Sequence, residues 1–143
     1  MLKGINKLII GDLLKVLCDM GHGDTISIVD ANYPAHTKNK KIISFPGQNT
    51  TDLLQAILEL IPLDHIVDSP AFIMDLELKD KESGMKEPEI WNEFNIIISK
   101  YTKNSIKKIT RQEFYDISEN SSIIVQTGEE RLYGDIILVK GVL

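Results

Sequence analysis

A short run of β-branched and apolar residues, Thr25–Val29, constrains the fold of this chain more than any other feature of its sequence. Its composition favours a buried β-strand. Ionisable side chains flank the run on both sides: His22 and Asp24 precede it, and Asp30 and His36 follow it. Because rigid elements hold catalytic groups in place better than loops do, the pattern indicates an α/β enzyme with chemistry at the ends of a buried strand.

The composition limits the class of protein. With 143 residues, 43% of them hydrophobic, the chain can bury one core, and we expect a single domain over residues 1–143. The net charge of −5 disfavours nucleic acids and anionic membranes as partners. No apolar stretch reaches the roughly 20 residues of a membrane span, and the first residues lack the apolar core of a signal peptide, so we expect a soluble, cytoplasmic protein. The one cysteine, Cys18, lies in an apolar helical pattern, which predicts a buried structural thiol.

Helical and extended patterns alternate along the chain. Helices are predicted from a cap at Asp12 to a stop at Gly21, from a cap at Asn49 or Thr50 to Pro62, from Pro88 to Tyr101, and after a capping box at 110–113. Strands are predicted at 25–29, 41–45, 70–78, 106–109, 122–126 and 136–139, and the charged segment 79–86 is predicted to be an exposed loop. The last two strands are apolar on both faces, which indicates central strands covered by helices. The predicted fold is therefore a three-layer α/β/α sandwich with a mostly parallel, mixed sheet.

Three clusters of polar residues could carry chemistry. The first is His22 with Asp24 and Asp30, in which the histidine could move a proton near neutral pH or merely cap the preceding helix. The second is Tyr33 with His36, which could equally be an exposed turn. The third is the loop 128–135, whose acid, base and phenol lie between two buried strands: Glu129, Arg131 and Tyr133.

Several familiar motifs are excluded. The Gly-x-Gly at residues 21 and 23 follows a helix and enters a strand, which is the wrong order for dinucleotide binding, and the sequence has neither a phosphate loop nor a nucleophilic serine elbow. A metal site is a minority hypothesis, because no pair among its candidate ligands has the spacing of a binding motif: His22, Asp30, His36 and His65.

Motifs along nearly the whole chain resemble those of the D-ribose pyranase and L-fucose mutarotase family (RbsD/FucU-like). They are Met20-Gly-His-Gly-Asp24, Asp30-Ala31, Pro34-Ala-His36, Asp52-Leu-Leu-Gln-Ala-Ile57, Phe114-Tyr115, Thr127-Gly-Glu129, Tyr133-Gly134 and Lys140-Gly-Val142. The Gly-His-Gly-Asp and Pro-Ala-His elements are similar to the L-fucose mutarotase branch, because the ribose branch typically has Gly-His-Thr-Asp and lacks the histidine at position 36.

The resemblance implies an aldose mutarotase that interconverts the α and β anomers of a free sugar without a cofactor or metal. It implies that His22 is the catalytic proton donor and that Tyr133 and Gly134 begin a Tyr-Gly-Asn binding element. The proton transfers of ring opening further suggest Tyr133 as a second proton relay. The resemblance also implies which residues bind the sugar: Asp30, His36, Arg111, Gly134 and Asp135. Asp135 departs from the family, which has asparagine there, and an ionised aspartate cannot donate a hydrogen bond. The family forms ring-shaped decamers with sites near subunit contacts, so the resemblance implies a homo-oligomer, a decamer, whose other partner is the monosaccharide.

Two alternatives to L-fucose anomer exchange stay open from the sequence. One is the pyranose–furanose interconversion of the D-ribose pyranase type. The other is a sugar-binding or transport accessory protein that keeps the pocket but has no catalytic role for His22.

Overall fold

The structure, a computed structural model, describes residues 2–39 and 41–143. Its strands are β1 (Thr25–Val29), β2 (Ile42–Phe45), β3 (Ala71–Met74), β4 (Lys107–Ile109), β5 (Ile123–Thr127) and β6 (Ile136–Val139). Its helices are α1 (Gly11–Asp19), α2 (Ala35–Lys38), α3 (Thr50–Leu58), α4 (Leu78–Glu82), α5 (Glu89–Ile98) and α6 (Arg111–Glu119). None of the helices in these residues is long and apolar enough to cross a membrane.

The six strands form one sheet in the order β2-β5-β1-β6-β3-β4. β6 is antiparallel to both of its neighbours, β1 and β3, whereas the other three pairings are parallel. Every strand except β6 therefore points the same way. As a result, the carboxyl ends of β1, β3 and β4 lie at the same edge of the sheet as the amino end of β6.

Apolar clusters cover both faces of the sheet. Alternate residues of β1 belong to different clusters, with Ile26 and Ile28 in one and Val29 in the other. The first cluster includes buried residues of α1, α3 and α5, and the second includes Phe114 of α6. Because side chains alternate between the faces of a strand, this division shows helices on both faces. The predicted three-layer α/β/α sandwich with a mostly parallel, mixed sheet is confirmed.

Several boundaries differ from the sequence predictions. The strand predicted at 70–78 ends at Met74, and the loop predicted at 79–86 begins instead with the short helix α4. The helix α2 was not predicted. β1 and β6 have the predicted bounds, and α6 opens with the predicted capping box between Thr110 and Glu113.

Two expectations about α1 and its flanks are wrong. Asp12 lies inside the first turn of α1, and Ile10 precedes the helix without a side-chain cap. Gly21 follows the C-cap residue Met20 of α1, in agreement with the predicted stop, and a left-handed backbone occurs two residues later at Gly23, with a φ of 83°. Cys18, predicted to be buried, is exposed, because it lies on the side of α1 away from the buried Leu13 and Leu17.

Candidate active site

A cavity of about 200 Å³ opens at the sheet edge where β1 and β6 meet. Three predicted binding residues line it together, although they are far apart in sequence: Asp30 follows β1, Arg111 begins α6, and Asp135 precedes β6. The remaining lining residues are Asn32, Tyr33, Pro34, Met74, Asp80, Tyr115, Leu132 and Tyr133. The cavity therefore combines hydrogen-bonding groups with apolar walls, as small-molecule sites generally do.

Two buried carboxyl groups form the inner wall of this cavity. Asp30 is 6% exposed and Asp135 is 4% exposed. The backbone N–H of Asp30 donates to Oδ1 of Asp135 at 2.7 Å, and the backbone N–H of Asn32 donates to Oδ1 of Asp30 at 2.8 Å. Burial raises the pKa of Asp30, and burial together with the neighbouring Asp30 charge raises the pKa of Asp135 well above its usual range.

Tyr133 is held at the mouth of the cavity in an uncommon backbone conformation, with a φ of 60°. Its hydroxyl donates to the Asp80 carboxylate and accepts from the backbone N–H of Glu77 at 3.0 Å. Trp91 packs edge-on against the Tyr133 ring and donates its indole N–H to the Tyr133 carbonyl at 3.2 Å. Burial and the Asp80 hydrogen bond raise the pKa of the Tyr133 phenol, so the phenol stays protonated near neutral pH and can donate.

Gly134 supports the cavity through its backbone. A Cβ at this position would lie 2.8 Å from Cγ of Glu129 and 3.1 Å from the carbonyl oxygen of Arg131. Its own carbonyl accepts from the buried hydroxyl of Thr50 at 2.8 Å. The loop thus needs glycine here to bring Tyr133 and Asp135 to the cavity, and Gly134 itself is not part of the cavity lining.

Arg111 reaches the cavity from the first turn of α6. The capping box of Thr110 and Glu113 fixes the start of this helix, because each residue's side chain accepts the other's backbone N–H. Nε of Arg111 lies 3.1 Å from a carboxylate oxygen of Glu77, with half of the arginine side chain exposed. Its guanidinium therefore keeps free N–H groups for a ligand.

His22 lies at the opposite edge of the sheet, before β1. Its Nε2 is 3.1 Å from Oδ2 of Asp64, a buried residue 42 positions further along the chain. Since an ionised carboxylate can only accept, Nε2 carries the proton and Nδ1 is left to exchange a proton with a ligand. The backbone N–H of Ile66 and the His22 ring hold the pKa of Asp64 below its usual range.

The end of β6 places Asp64 beside His22. Leu63 forms a β-bridge with Lys140, and the backbone N–H of Asp64 donates to the carbonyl of Val139 at 3.0 Å. A Cβ on Gly141 would lie 2.6 Å from the Leu63 carbonyl oxygen, so glycine is required for this close approach. The sequence analysis missed Asp64, because it comes close to His22 only through the pairing of residues 63 and 64 with the end of β6.

The two halves of the predicted site do not meet within one chain. β1 separates His22 from Asp30, and a five-residue strand spans about 16 Å. His22 instead lines a second cavity, of about 500 Å³, whose walls are mostly apolar: Leu14, Leu17, Cys18, Leu60, Ile61, Pro62, Lys140, Gly141, Val142 and Leu143. His36 is exposed on α2 and lies outside the lining of the Asp30 cavity.

The proposed metal ligands are also dispersed. Across residues 2–39 and 41–143, no three side chains of His, Cys, Asp or Glu converge as metal ligands would. The minority hypothesis of a metal site built from His22, Asp30, His36 and His65 is therefore wrong for a single chain, since β1 keeps the first two apart.

Comparisons with known proteins agree with the sequence motifs. The model of the RbsD / FucU transport protein family matches residues 3–143. The fucose mutarotase of Mus musculus is 42% identical over 99% of this chain and 95% of its own length. The crystal structure of the fucose mutarotase from Streptococcus pneumoniae in complex with L-fucose has a TM-score of 0.91 and 42% identity, with 99% of each chain covered.

A less similar structure belongs to the ribose branch of the family. The structure of Bacillus subtilis RbsD complexed with D-ribose has a TM-score of 0.74 and 25% identity over 100% of this chain and 99% of that chain. These matches confirm the family resemblance seen in the motifs, and they confirm that the chain is more similar to the L-fucose mutarotase branch. Because the family model and these relatives cover nearly the whole sequence, the chain belongs to the RbsD / FucU transport protein family.

Proposed function

We propose that this protein is an isomerase that interconverts the α and β anomers of L-fucose, with residues 1–143 acting as one mutarotase domain in the cytoplasm. The observation that carries this function is the full-length match to the Streptococcus pneumoniae fucose mutarotase, whose structure contains L-fucose. The Asp30 cavity supports it, because a neutral polyol needs directional hydrogen bonds and the cavity offers both donors and acceptors. D-ribose is a less favoured substrate, since identity to the D-ribose complex is 25% against 42%.

The chemistry requires one proton to leave the anomeric hydroxyl and one to reach the ring oxygen, after which the open-chain carbonyl rotates and the ring recloses on its other face. We assign this proton transfer to Nδ1 of His22. The Asp64 carboxylate accepts from Nε2, so it fixes the tautomer and stabilises the charged ring that forms when Nδ1 takes a proton. No cofactor or metal enters this scheme.

The sugar is held by the residues of the Asp30 cavity. In this proposal Asp30 and Asp135 bind hydroxyls from the inner wall, and the free N–H groups of Arg111 donate to the sugar from α6. The Tyr133 phenol donates its one O–H to Asp80, so at the cavity mouth its oxygen can accept from a sugar hydroxyl and pass a proton on to Asp80, as a second proton relay. His36 is exposed on α2, which begins directly after the lining residue Pro34, and we assign it no contact inside the cavity.

A second copy of the chain must then bring His22 to the sugar. A single monosaccharide is far shorter than the distance across β1, so one chain cannot present both His22 and Asp30 to it. The region around His22 has the apolar character of a subunit contact, since its cavity is lined by residues of α1 and the exposed Val142 and Leu143. We therefore propose a closed homo-oligomer, a decamer, in which each site joins the Asp30 cavity of one copy to His22 and Asp64 of a neighbour.

Saturation-transfer NMR tests the function directly. We expect the protein to accelerate exchange between the α and β resonances of L-fucose, with a smaller effect on D-ribose. His22→Ala should slow the L-fucose exchange by about 10²–10⁴-fold, the usual contribution of general acid–base catalysis. His65→Ala is the matched control, because His65 is exposed and adjacent to Asp64 in sequence.

Each outcome of that experiment separates the alternatives. Binding of L-fucose without faster exchange in the unmodified protein would indicate the sugar-binding or transport accessory protein. Faster exchange of pyranose and furanose D-ribose, with none for L-fucose, would indicate the D-ribose pyranase type. Full activity in His22→Ala would remove His22 from the mechanism.

A further inference from the structure

Asp135 and Asp30 form a pair of buried carboxyl groups at the inner wall of the sugar cavity. The antiparallel register of β1 and β6 pairs Ile28 with Ile136, and one residue further on it places Asp135 opposite Val29, the residue before Asp30. Oδ1 of Asp135 accepts the backbone N–H of Asp30 at 2.7 Å, so the two residues are in direct contact, and the Asp30 charge acts on the Asp135 carboxyl. Both side chains are at least nine-tenths shielded from solvent.

Within residues 2–39 and 41–143, no basic side chain forms an ion pair with either carboxyl group. The charged and titratable groups that face the pair from the surrounding elements are Tyr33, Asp80, Arg111, Tyr115, Glu129 and Tyr133. Arg111 is bound to Glu77, and Glu129 is bound to Arg131, so acidic groups predominate around the pair.

Two carboxylates on contacting residues in a buried site cannot both ionise without a large cost, so one of them retains a proton. We propose that Asp30 and Asp135 hold one proton between them at neutral pH, and that Asp135 uses it to donate a hydrogen bond to a sugar hydroxyl. A protonated carboxyl has one donor and an acceptor, which is the combination that an asparagine side chain also offers. Asp135 thus supplies the hydrogen-bond donor that the family's asparagine supplies, but only while its carboxyl group is protonated.

The proton sharing can be tested without sugar. A carboxyl whose pKa is raised in the folded state is stabilising below its unfolded pKa of about 3.9, and this contribution is lost as pH rises toward the folded pKa. Between these two pKa values, the equilibrium constant for folding of the unmodified protein should therefore fall by about tenfold per pH unit relative to that of Asp135→Asn. Denaturant unfolding of both proteins, at the same protein concentration and at pH values from 4 upward in steps of about one pH unit, measures this difference in stability.

Infrared spectroscopy gives a second readout of the same proton. The unmodified protein should show a carboxylic acid C=O band at neutral pH that is missing from both Asp135→Asn and Asp30→Asn, so the test survives if one variant does not fold. Asp68→Asn is the control, because Asp68 is exposed. The proposal of a shared proton would be overturned if the stabilities of the unmodified protein and of Asp135→Asn changed equally with pH. It would also be overturned if the unmodified protein lacked the carboxylic acid band.

The donor role rests on the proposed function, and sugar titration tests it separately. The affinity of the unmodified protein for L-fucose should fall by about tenfold per pH unit once the shared proton is lost, whereas the affinity of Asp135→Asn should stay level over the same range. Equal pH dependence in the two proteins would overturn the donor role. If neither protein binds L-fucose while the acid band is present, the proposed function fails and the shared proton stands.

Discussion

At the scale of single residues, the role proposed for His22 depends on its contact with Asp64. A histidine that follows a helix and precedes a strand could be a mere capping residue, and nothing in its local sequence decides between capping and catalysis. The buried Asp64 carboxylate, 3.1 Å from Nε2, supplies what a proton-transferring histidine needs: a fixed tautomer and a counter-charge. Asp64 also stays ionised through the neutral range, since its pKa lies below the usual value.

We therefore expect Asp64→Asn to slow L-fucose anomer exchange by about 10- to 100-fold, the rate equivalent of one hydrogen bond to a charged group. The amide can still contact the His22 ring but cannot offset its positive charge, so the loss should fall on kcat rather than on KM. NMR exchange rates measured across a range of L-fucose concentrations separate the two constants. Asp68→Asn, on the same segment but exposed, should behave as the unmodified protein does, and a similar loss in both variants would argue against a specific role for Asp64.

At the scale of secondary-structure elements, the site depends on where strands and helices begin and end. Arg111 is the first residue of α6, directly after the capping residue Thr110. The Thr110 hydroxyl accepts the backbone N–H of Glu113 at 3.2 Å, and the Glu113 carboxylate accepts the backbone N–H of Thr110 at 2.7 Å. These bonds set the first turn of the helix, and hence the position from which Arg111 reaches the cavity.

Removing the cap should affect stability and sugar binding together. We expect Thr110→Ala to lower the free energy of unfolding by about 1 kcal/mol, as other losses of an N-terminal cap do, and to weaken L-fucose binding because the first turn carries Arg111. Gln112→Ala, at an exposed position of the same helix, should change stability by less than about 0.5 kcal/mol. Urea unfolding and sugar titration of both variants measure these effects. An equal loss of stability in the two variants would show that the cap has no special role.

The same elements show what the sequence could and could not predict. β1 and β6 were predicted with correct bounds because continuous apolar runs flanked by polar residues identify central strands. The strand predicted to reach residue 78 was too long, because alternation in Phe72, Met74, Leu76 and Leu78 continues past the point where the chain turns into α4. Periodicity alone does not distinguish a strand from an extended segment that leads into a short helix.

The candidate site was predictable only in part for a related reason. Motif resemblance identified Asp30, Arg111, Tyr133 and Asp135, and the structure brings these four residues together around one cavity. Asp64 and Asp80 were missed, because their contacts with His22 and Tyr133 bridge 42 and 53 positions of the sequence. The predicted cluster of His22 with Asp30 is wrong within one chain, because the five residues of β1 lie between them and the two side chains line different cavities.

At the scale of the whole molecule, the arrangement of the sheet divides the proposed catalytic machinery between two edges. The proposed sugar-binding residues gather where β1 ends and β6 begins, and His22 and Asp64 lie where β1 begins and β6 ends. An enzyme built in this way works only if a neighbouring copy brings its His22 edge to the open cavity. In the ring that we propose, the same contact would repeat at every subunit, so each cavity would receive one histidine.

Mixing two inactive variants tests this account most directly. His22→Ala keeps the sugar cavity and Arg111→Ala keeps His22, so each protein alone should be nearly inactive at limiting L-fucose. When the two are co-expressed in equal amounts and purified as mixed oligomers, a random arrangement gives a complete site at about one quarter of the contacts. We predict that L-fucose anomer exchange, measured by saturation-transfer NMR, recovers to about one quarter of the unmodified rate. Mixed oligomers with no more activity than the two variants separately would contradict a site shared between neighbouring chains.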